Sequence, residues 1–226
     1  MARVVMTGAT GFLGRNLAST LLSRGHQVRA LVRAGSESRV PAGCETVIGD
    51  PVDCATYRHL VGTADAFVQL VGVSHPSPAK APLFLSVDLA AAKAGVHAAT
   101  HAGIHHFIYV SVAHPAPIMK PYIAARCEAE ECIRFSGMNA TILRPWYVLG
   151  PGRRWPLLLT PLYWTLGAWP PTRDSARRLG LVTVSQMIEI MALSVEQPPT
   201  GIRVVEVPQI RAATLQGNSR QTVSAP

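Results

Sequence analysis

Three glycines spaced three apart, Gly8, Gly11 and Gly14, follow the apolar run Val4-Val5-Met6 and lead into Phe12-Leu13. A strand that feeds a glycine-rich turn and then a helix start is a cradle for phosphate. The first N–H groups of a helix have no intrahelical partners, and the helix dipole adds positive potential there, so a pyrophosphate satisfies both. Glycine is needed where a Cβ would hold the anion off the backbone and where the turn uses positive φ. A second group lies further along the chain. Tyr122 and Arg126 are four apart, on one helical face about a turn from each other, and Ser111 ends the apolar run before them. Arginine favours the phenolate electrostatically, but it stays protonated and is a poor proton relay. Packing of Tyr122 beside Pro121, and an i,i+4 ion pair of Arg126 with Glu130, are the plain structural alternatives.

These groups need strands and helices in strict alternation to hold them. Strands are expected at Val4–Thr7, Gln27–Val32, Glu45–Gly49, Asp65–Val71, His105–Ser111, from Asn139, and at Ile202–Val207. Asp65–Val71 is nearly all apolar, as a central parallel strand buried on both faces should be. Helices are expected at Phe12–Leu22, from Asp53 as N-cap to about Val61, at Ser86–Ala102, from Pro121 through Phe135, and at Thr183–Glu196. The pattern predicts an α/β doubly wound parallel sheet, a Rossmann fold, with a small C-terminal appendage. One domain is expected over 1–211, with 145–200 as a reduced substrate or lid region and 212–226 as a flexible tail.

Composition narrows the function classes. Hydrophobic residues make up 48% of the 226 and charged residues 15%, enough for a sizeable core and too apolar for extended disorder. The net charge of +8 comes mainly from scattered arginines and suits anionic ligands. No basic helix, finger spacing or aromatic RNA-binding signature accompanies it, so no nucleic-acid partner is expected. The four cysteines form no C-x-x-C pair, which points to reduced thiols in a cytoplasmic protein. Met1 is followed almost at once by a strand, leaving no room for a targeting peptide, and no apolar run reaches the roughly 20 residues of a membrane span. His97, His101 and His105 repeat every four residues. Gly103 breaks that helix before His105 and no acidic partner lies nearby, so no metal site is expected.

The segment Thr7 to Gly14 resembles the glycine turn of the short-chain dehydrogenase/reductase superfamily, in its extended and atypical branches, the NAD-dependent epimerase and NmrA-like proteins. Gly49-Asp50-x-x-Asp53, Val87-Asp88-Leu89-Ala90 with His105 to Ser111, and Asn139 to Gly152 with its Arg144-Pro145 turn resemble further segments of the same superfamily. The resemblance implies NAD(P) binding. Gly8, Thr10, Gly11, Phe12, Leu13 and Gly14 would surround the pyrophosphate, Asp50 and Pro51 the adenine, Val71 and Gly72 the sheet edge, and Arg144 and Pro145 the nicotinamide. It also implies catalytic roles: Ser111 orients the substrate oxygen and Tyr122 is the proton donor or acceptor. Arg126 stands where the family has a lysine that binds the nicotinamide ribose and lowers the tyrosine pKa. The implied function is an oxidoreductase or epimerase acting on a carbonyl-bearing small molecule. The alternative is a catalytically silent nucleotide-sensing or assembly protein, which Arg126 and the short appendage favour, whereas Ser111 and Tyr122 favour the enzyme.

The strand ending at Val32 sets cofactor choice. An acidic residue there would bind the ribose 2′-hydroxyl of NAD(H), but the chain has Arg33, whose planar fork suits a 2′-phosphate, with Ser36 and Arg39 as helpers. NADP(H) is therefore preferred, with NAD(H) the alternative. His75, in the loop after the fourth strand, is a candidate proton donor or substrate contact. All four tryptophans fall in or just before Arg153 to Arg178, and Pro156 to Pro171 carries no charge. Three readings of 153–171 stay open: a substrate lid, a protein-partner surface, or a peripheral membrane contact.

Overall fold

The computed structural model describes residues 1–116, 118–150 and 179–213. The Trp-rich segment 153–171 and the tail beyond 213 lie outside the described residues. Seven strands form one parallel sheet: β1 (Arg3–Thr7), β2 (Gln27–Val32), β3 (Glu45–Ile48), β4 (Ala66–Gln69), β5 (His106–Val110), β6 (Asn139–Arg144) and β9 (Ile202–Glu206). Their order is β3-β2-β1-β4-β5-β6-β9. The chain first builds outward from β1 to β3, then returns to lay β4 on the other side of β1. Ligands of such sheets bind at that reversal, outside the carboxyl ends of the strands. A separate two-stranded parallel sheet joins β7 (Tyr147–Leu149) to β8 (Leu181–Thr183).

Side chains alternate across the sheet with the two-residue period of a strand. Val4 and Met6 pack with Leu17 and Leu21 of α1 (Phe12–Ser23) and with Met187 and Met191 of a C-terminal helix. Val5 faces the other way, into a core with Ala92, Val96, Ala125, Ala129 and the stacked rings of Phe67 and Phe107. That second face is covered by α3 (Ala90–His101) and α4 (Lys120–Phe135). The C-terminal helix, α5 (Val184–Glu196), opens on a capping box: Thr183 accepts from the Gln186 amide and the Gln186 side chain returns a bond to Thr183. Small residues on α3 and α4, among them Ala92, Ala99, Ala125 and Ala129, are packed in the core of the second face.

Three elements differ from expectation. The helix expected at Ser86–Ala102 is regular only over α3: a π-helical turn (Phe84–Leu89) takes its first four positions, and a short α2 (Ala81–Leu83) comes before that turn. This wider turn buries Phe84, Asp88 and Leu89 together. The segment after Asp53 makes only a 3-10 turn (Cys54–Thr56), because Tyr57 turns in to the core; Asp53 caps it through the Ala55 amide, as expected. Beyond β9, residues 207–213 are helical, with Val207, Ile210 and Ala213 buried three apart. The ordered chain thus extends past Arg211, where a loose tail was expected.

Candidate functional site

At the carboxyl edge of β1 the expected phosphate cradle is built from backbone. Gly11 is the N-cap of α1 in an extended conformation, no side chain caps the helix, and no acid lies in its first turn. The amides of Phe12 and Leu13 begin the helix, with no acidic side chain in its first turn. Gly8 has φ +72°, and a Cβ there would lie 2.9 Å from the Leu70 backbone. At Gly14 a Cβ would collide with the Gly8 carbonyl and lie 2.8 Å from Ala9 Cα. The helix thus docks onto its own turn at a distance only glycine allows, and the cradle fits a pyrophosphate. Thr7 Oγ1 donates to Gln69 Oε1 at 2.8 Å and accepts the Leu70 amide at 3.2 Å, fixing the ends of β1 and β4 side by side.

The other nominated cofactor residues lie along the same edge. Arg33 follows β2, is exposed, and pairs with no acid among the described residues; Arg39 is exposed in the adjacent 3-10 turn Glu37–Arg39. Asp50 follows β3, and its Oδ1 accepts the Val52 amide at 3.1 Å beside Pro51. Val71 and Gly72 follow β4, and Arg144 ends β6 with Pro145 next to it.

The nominated catalytic residues lie in a group built from side chains, most of them on α4. Tyr122, Arg126, Glu130 and Arg134 recur every four residues along it. The Tyr122 ring meets Phe84 edge-on, with centroids 5.0 Å apart, and the Arg126 guanidinium carbon lies 5.0 Å from the Tyr122 centroid. Arg126 is only 7% exposed. Its Nη2 pairs with Asp88 Oδ1 at 2.5 Å, and its Nη1 donates to Tyr109 Oη at 3.2 Å and to the Val110 carbonyl at 2.8 Å. Arg126 thus pairs with Asp88 and leaves Glu130 to others. Asp88 is fully buried, and its second oxygen accepts the Val73 amide at 2.9 Å. Burial pushes the Asp88 carboxyl up, and the Arg126 charge and the Val73 amide only partly reverse this. Burial opposes the Arg126 charge, but Tyr109, Tyr122 and Asp88 outweigh it and hold the guanidinium protonated. Burial pushes the Tyr109 phenol up to about 12.

One turn further on, Glu130 is a second centre, only 1% exposed. Its Oε1 accepts Ser111 Oγ at 2.7 Å and Arg144 Nε at 3.0 Å; its Oε2 accepts Arg144 Nη2 at 2.6 Å and Arg134 Nη1 at 3.2 Å. His114 Nε2 stands 3.5 Å from Oε1. Burial works to raise the Glu130 carboxyl, but the hydrogen bonds from Arg144 and Ser111, with the charge of Arg144, bring it below the usual range. The Arg144 guanidinium is therefore engaged by Glu130, and the turn it precedes is fixed by the Pro145 carbonyl accepting the Ala113 amide at 2.9 Å. Ser111 is buried with its hydroxyl proton on Glu130. His75 is exposed at φ 51°, in a loop whose Ser74 and His75 carbonyls accept Lys80 Nζ at 2.7 and 3.2 Å.

Sequence reasoning missed the parts played by Asp88 and Glu130. Glu130 left a trace, since it continues the four-residue series of α4. Nothing in the sequence ties Asp88 to Arg126, because that pairing depends on how a π-helical turn meets a different helix. Among the described residues no cluster of histidine, cysteine and acidic side chains is arranged to hold a metal, and no helix is long and apolar enough to cross a membrane.

A family model described as NAD(P)H-binding matches residues 8–153. Ceramide reductase of Caulobacter vibrioides is 31% identical over 151 residues, which are 66% of this chain and 47% of that protein. This chain therefore spans about half the length of that relative. An uncharacterized sugar epimerase of Bacillus subtilis, YhfK, is 33% identical over 156 residues, 63% of this chain and 71% of that protein. Among solved structures, the Bordetella bronchiseptica enzyme WbmH in complex with NAD+ superposes with a TM-score of 0.69 at 18% identity, covering 100% of this chain and 82% of that one.

Proposed function

The chain belongs to the NAD(P)H-binding family within the short-chain dehydrogenase/reductase superfamily, and on that premise we propose that it is an NADP(H)-dependent oxidoreductase or epimerase of a carbonyl-bearing small molecule. The observation that carries this reading is Tyr122. Its ring is held between Phe84 and the buried Arg126, and among the described residues its hydroxyl makes no hydrogen bond, so it is available to a substrate oxygen.

The bound dinucleotide supplies hydride chemistry at its nicotinamide carbon. The remaining work falls to the chain. Amides at the start of α1 hold the pyrophosphate, Asp50 and Pro51 border the adenine, and Arg33 takes the 2′-phosphate through a charge-assisted fork. Tyr122 gives its proton to the substrate oxygen in reduction and takes one in oxidation. Ser111 becomes a second contact for that oxygen by turning its proton away from Glu130, a rotation about one bond. The substrate is apolar around its carbonyl: Leu83 (43% exposed) and Leu85 (58%) flank Phe84, and Ile118 (52%) precedes the first turn of α4. The name of ceramide reductase points the same way.

A catalytically silent, nucleotide-sensing role is the second reading. The observation favouring it is that Arg126 and Ser111 both give their donors to protein groups. Two measurements separate the readings. NADPH should raise the melting temperature more than NADH does, and Gly11→Asp should abolish the rise; no rise with either nucleotide in the parent protein removes the cofactor claim. Tyr122→Phe should lower NADPH oxidation at least 100-fold across a panel of apolar aldehydes and ketones; equal rates would assign Tyr122 to packing, and no oxidation by the parent protein would leave only the silent role.

A further inference from the structure

We infer that Asp88 is a positioning residue. With Arg126 it forms one buried clamp beneath Tyr122 and the loop that leaves β4, and it removes Arg126 from the set of groups that hold the dinucleotide. The inference deepens the reading above and rests on it for the place of the reaction end, but the clamp can be tested without a cofactor.

Three observations support it. First, both terminal nitrogens of the guanidinium are engaged: Nη2 goes to Asp88 and Nη1 to Tyr109 and Val110, while Nε is buried and has no partner among the described residues. The three donors in these bonds are closed to a ribose hydroxyl unless their protein partners give way. Second, Asp88 joins two elements at once, because one oxygen holds Arg126 and the other holds the Val73 amide. Third, the loop leaves room for nothing else: a Cβ on Gly72 would collide with Arg126 Nη2 and sit 3.0 Å from Asp88 Oδ1. The π-helical turn Phe84–Leu89 brings this about, placing Phe84 against the Tyr122 ring and Asp88 against the guanidinium beneath it. A lysine at 126 would offer one compact ammonium in place of a planar fork, and it could not hold this set of acceptors in one plane.

The experiment uses the full chain with Asp88→Asn, Arg126→Met, the double variant and Arg126→Gln. Thermal unfolding without nucleotide should show both single variants less stable, with the double variant no worse than the worse single. In Asp88→Asn the Val73 amide should exchange with deuterium at least tenfold faster, and the near-UV circular dichroism should lose the same tyrosine band that Tyr122→Phe removes. NADPH affinity, read by fluorescence titration, should change less than threefold in Arg126→Met. If that variant does not fold, Arg126→Gln, which also lacks the cation, carries the affinity reading. Additive losses of stability, or an unchanged tyrosine band in Asp88→Asn, overturn the clamp. NADPH binding weakened tenfold or more in Arg126→Met or Arg126→Gln makes Arg126 a cofactor ligand and overturns the inference. If the parent protein binds neither nucleotide, the proposed function falls, and the stability cycle still decides the clamp.

Discussion

The two ends of this nucleotide edge are built from opposite materials. At the β1–α1 turn the surface is made of backbone: glycines at 8 and 14 bring helix and turn together, no side chain caps the helix, and no acid enters its first turn. At the β5–α4–β6 end it is made of charge, in two buried centres at Asp88–Arg126 and Glu130–Arg144. Shape serves a pyrophosphate, which needs close amides and little else. Charge serves a site that must hold a phenol and two strand ends in fixed relation, since a buried ion pair loses heavily when either partner is removed. The cradle is thus sensitive to added atoms, and the reaction end to lost ones.

Four measurements can break or sharpen this contrast. The largest effect is expected from Glu130→Ala, which strands Arg144 and the Ser111 hydroxyl; it should cost about 3–5 kcal/mol and lower the melting temperature by roughly 10 °C, while the rise caused by NADPH survives. An unchanged melting point would show that the reaction end is not held by charge. Gly14→Ala should cost about 3 kcal/mol by overpacking and should also remove the NADPH-induced rise, because the cradle itself is deformed.

The third test is the acid limb of stability. His106, buried and facing the Arg203 charge, has its pKa lowered to about 4. The unfolded chain therefore binds this proton first. Stability contributed by the neutral ring is complete above about pH 6.5 and is lost as pH falls toward 4, a total of about 3 kcal/mol. The Glu130 carboxyl is depressed, so its contribution is present above the ordinary glutamate range and is lost as pH falls through its lower folded value. Denaturation followed from pH 7 to 4 should show a shallower decline in His106→Gln than in the parent, and parallel curves would exclude the histidine. Arg33→Ala should have the smallest effect: NADPH binding weakened roughly 10- to 100-fold, about 1.4–2.8 kcal/mol, with NADH binding and apo stability unchanged. Equal loss for both nucleotides would place Arg33 away from the 2′-phosphate.

The same contrast explains what could be read in advance. The glycine turn, the alternation of strands and helices, and the parallel sheet were legible because each is a local pattern, set by spacing within a few residues. The Asp53 cap and the Thr183 start of α5 were legible for the same reason. The partner of Arg126 was not. Glu130, four residues on, offered a local pair, but its carboxylate is taken by Arg144 from β6 and Ser111 from β5, and Arg126 turns instead to Asp88, thirty-eight positions away. Helix spacing says which residues share a face, and says nothing of what that face meets.

The sequence by itself determined the class of fold and the close glycine turn from Gly8 to Gly14, because backbone freedom and side-chain period act over short distances. Only the tertiary structure decided how the reaction end is wired. There a π-helical turn carries Asp88 beneath Arg126, and burial makes the choice of ionic partner a matter of which groups can share a low-dielectric space with every donor and acceptor satisfied.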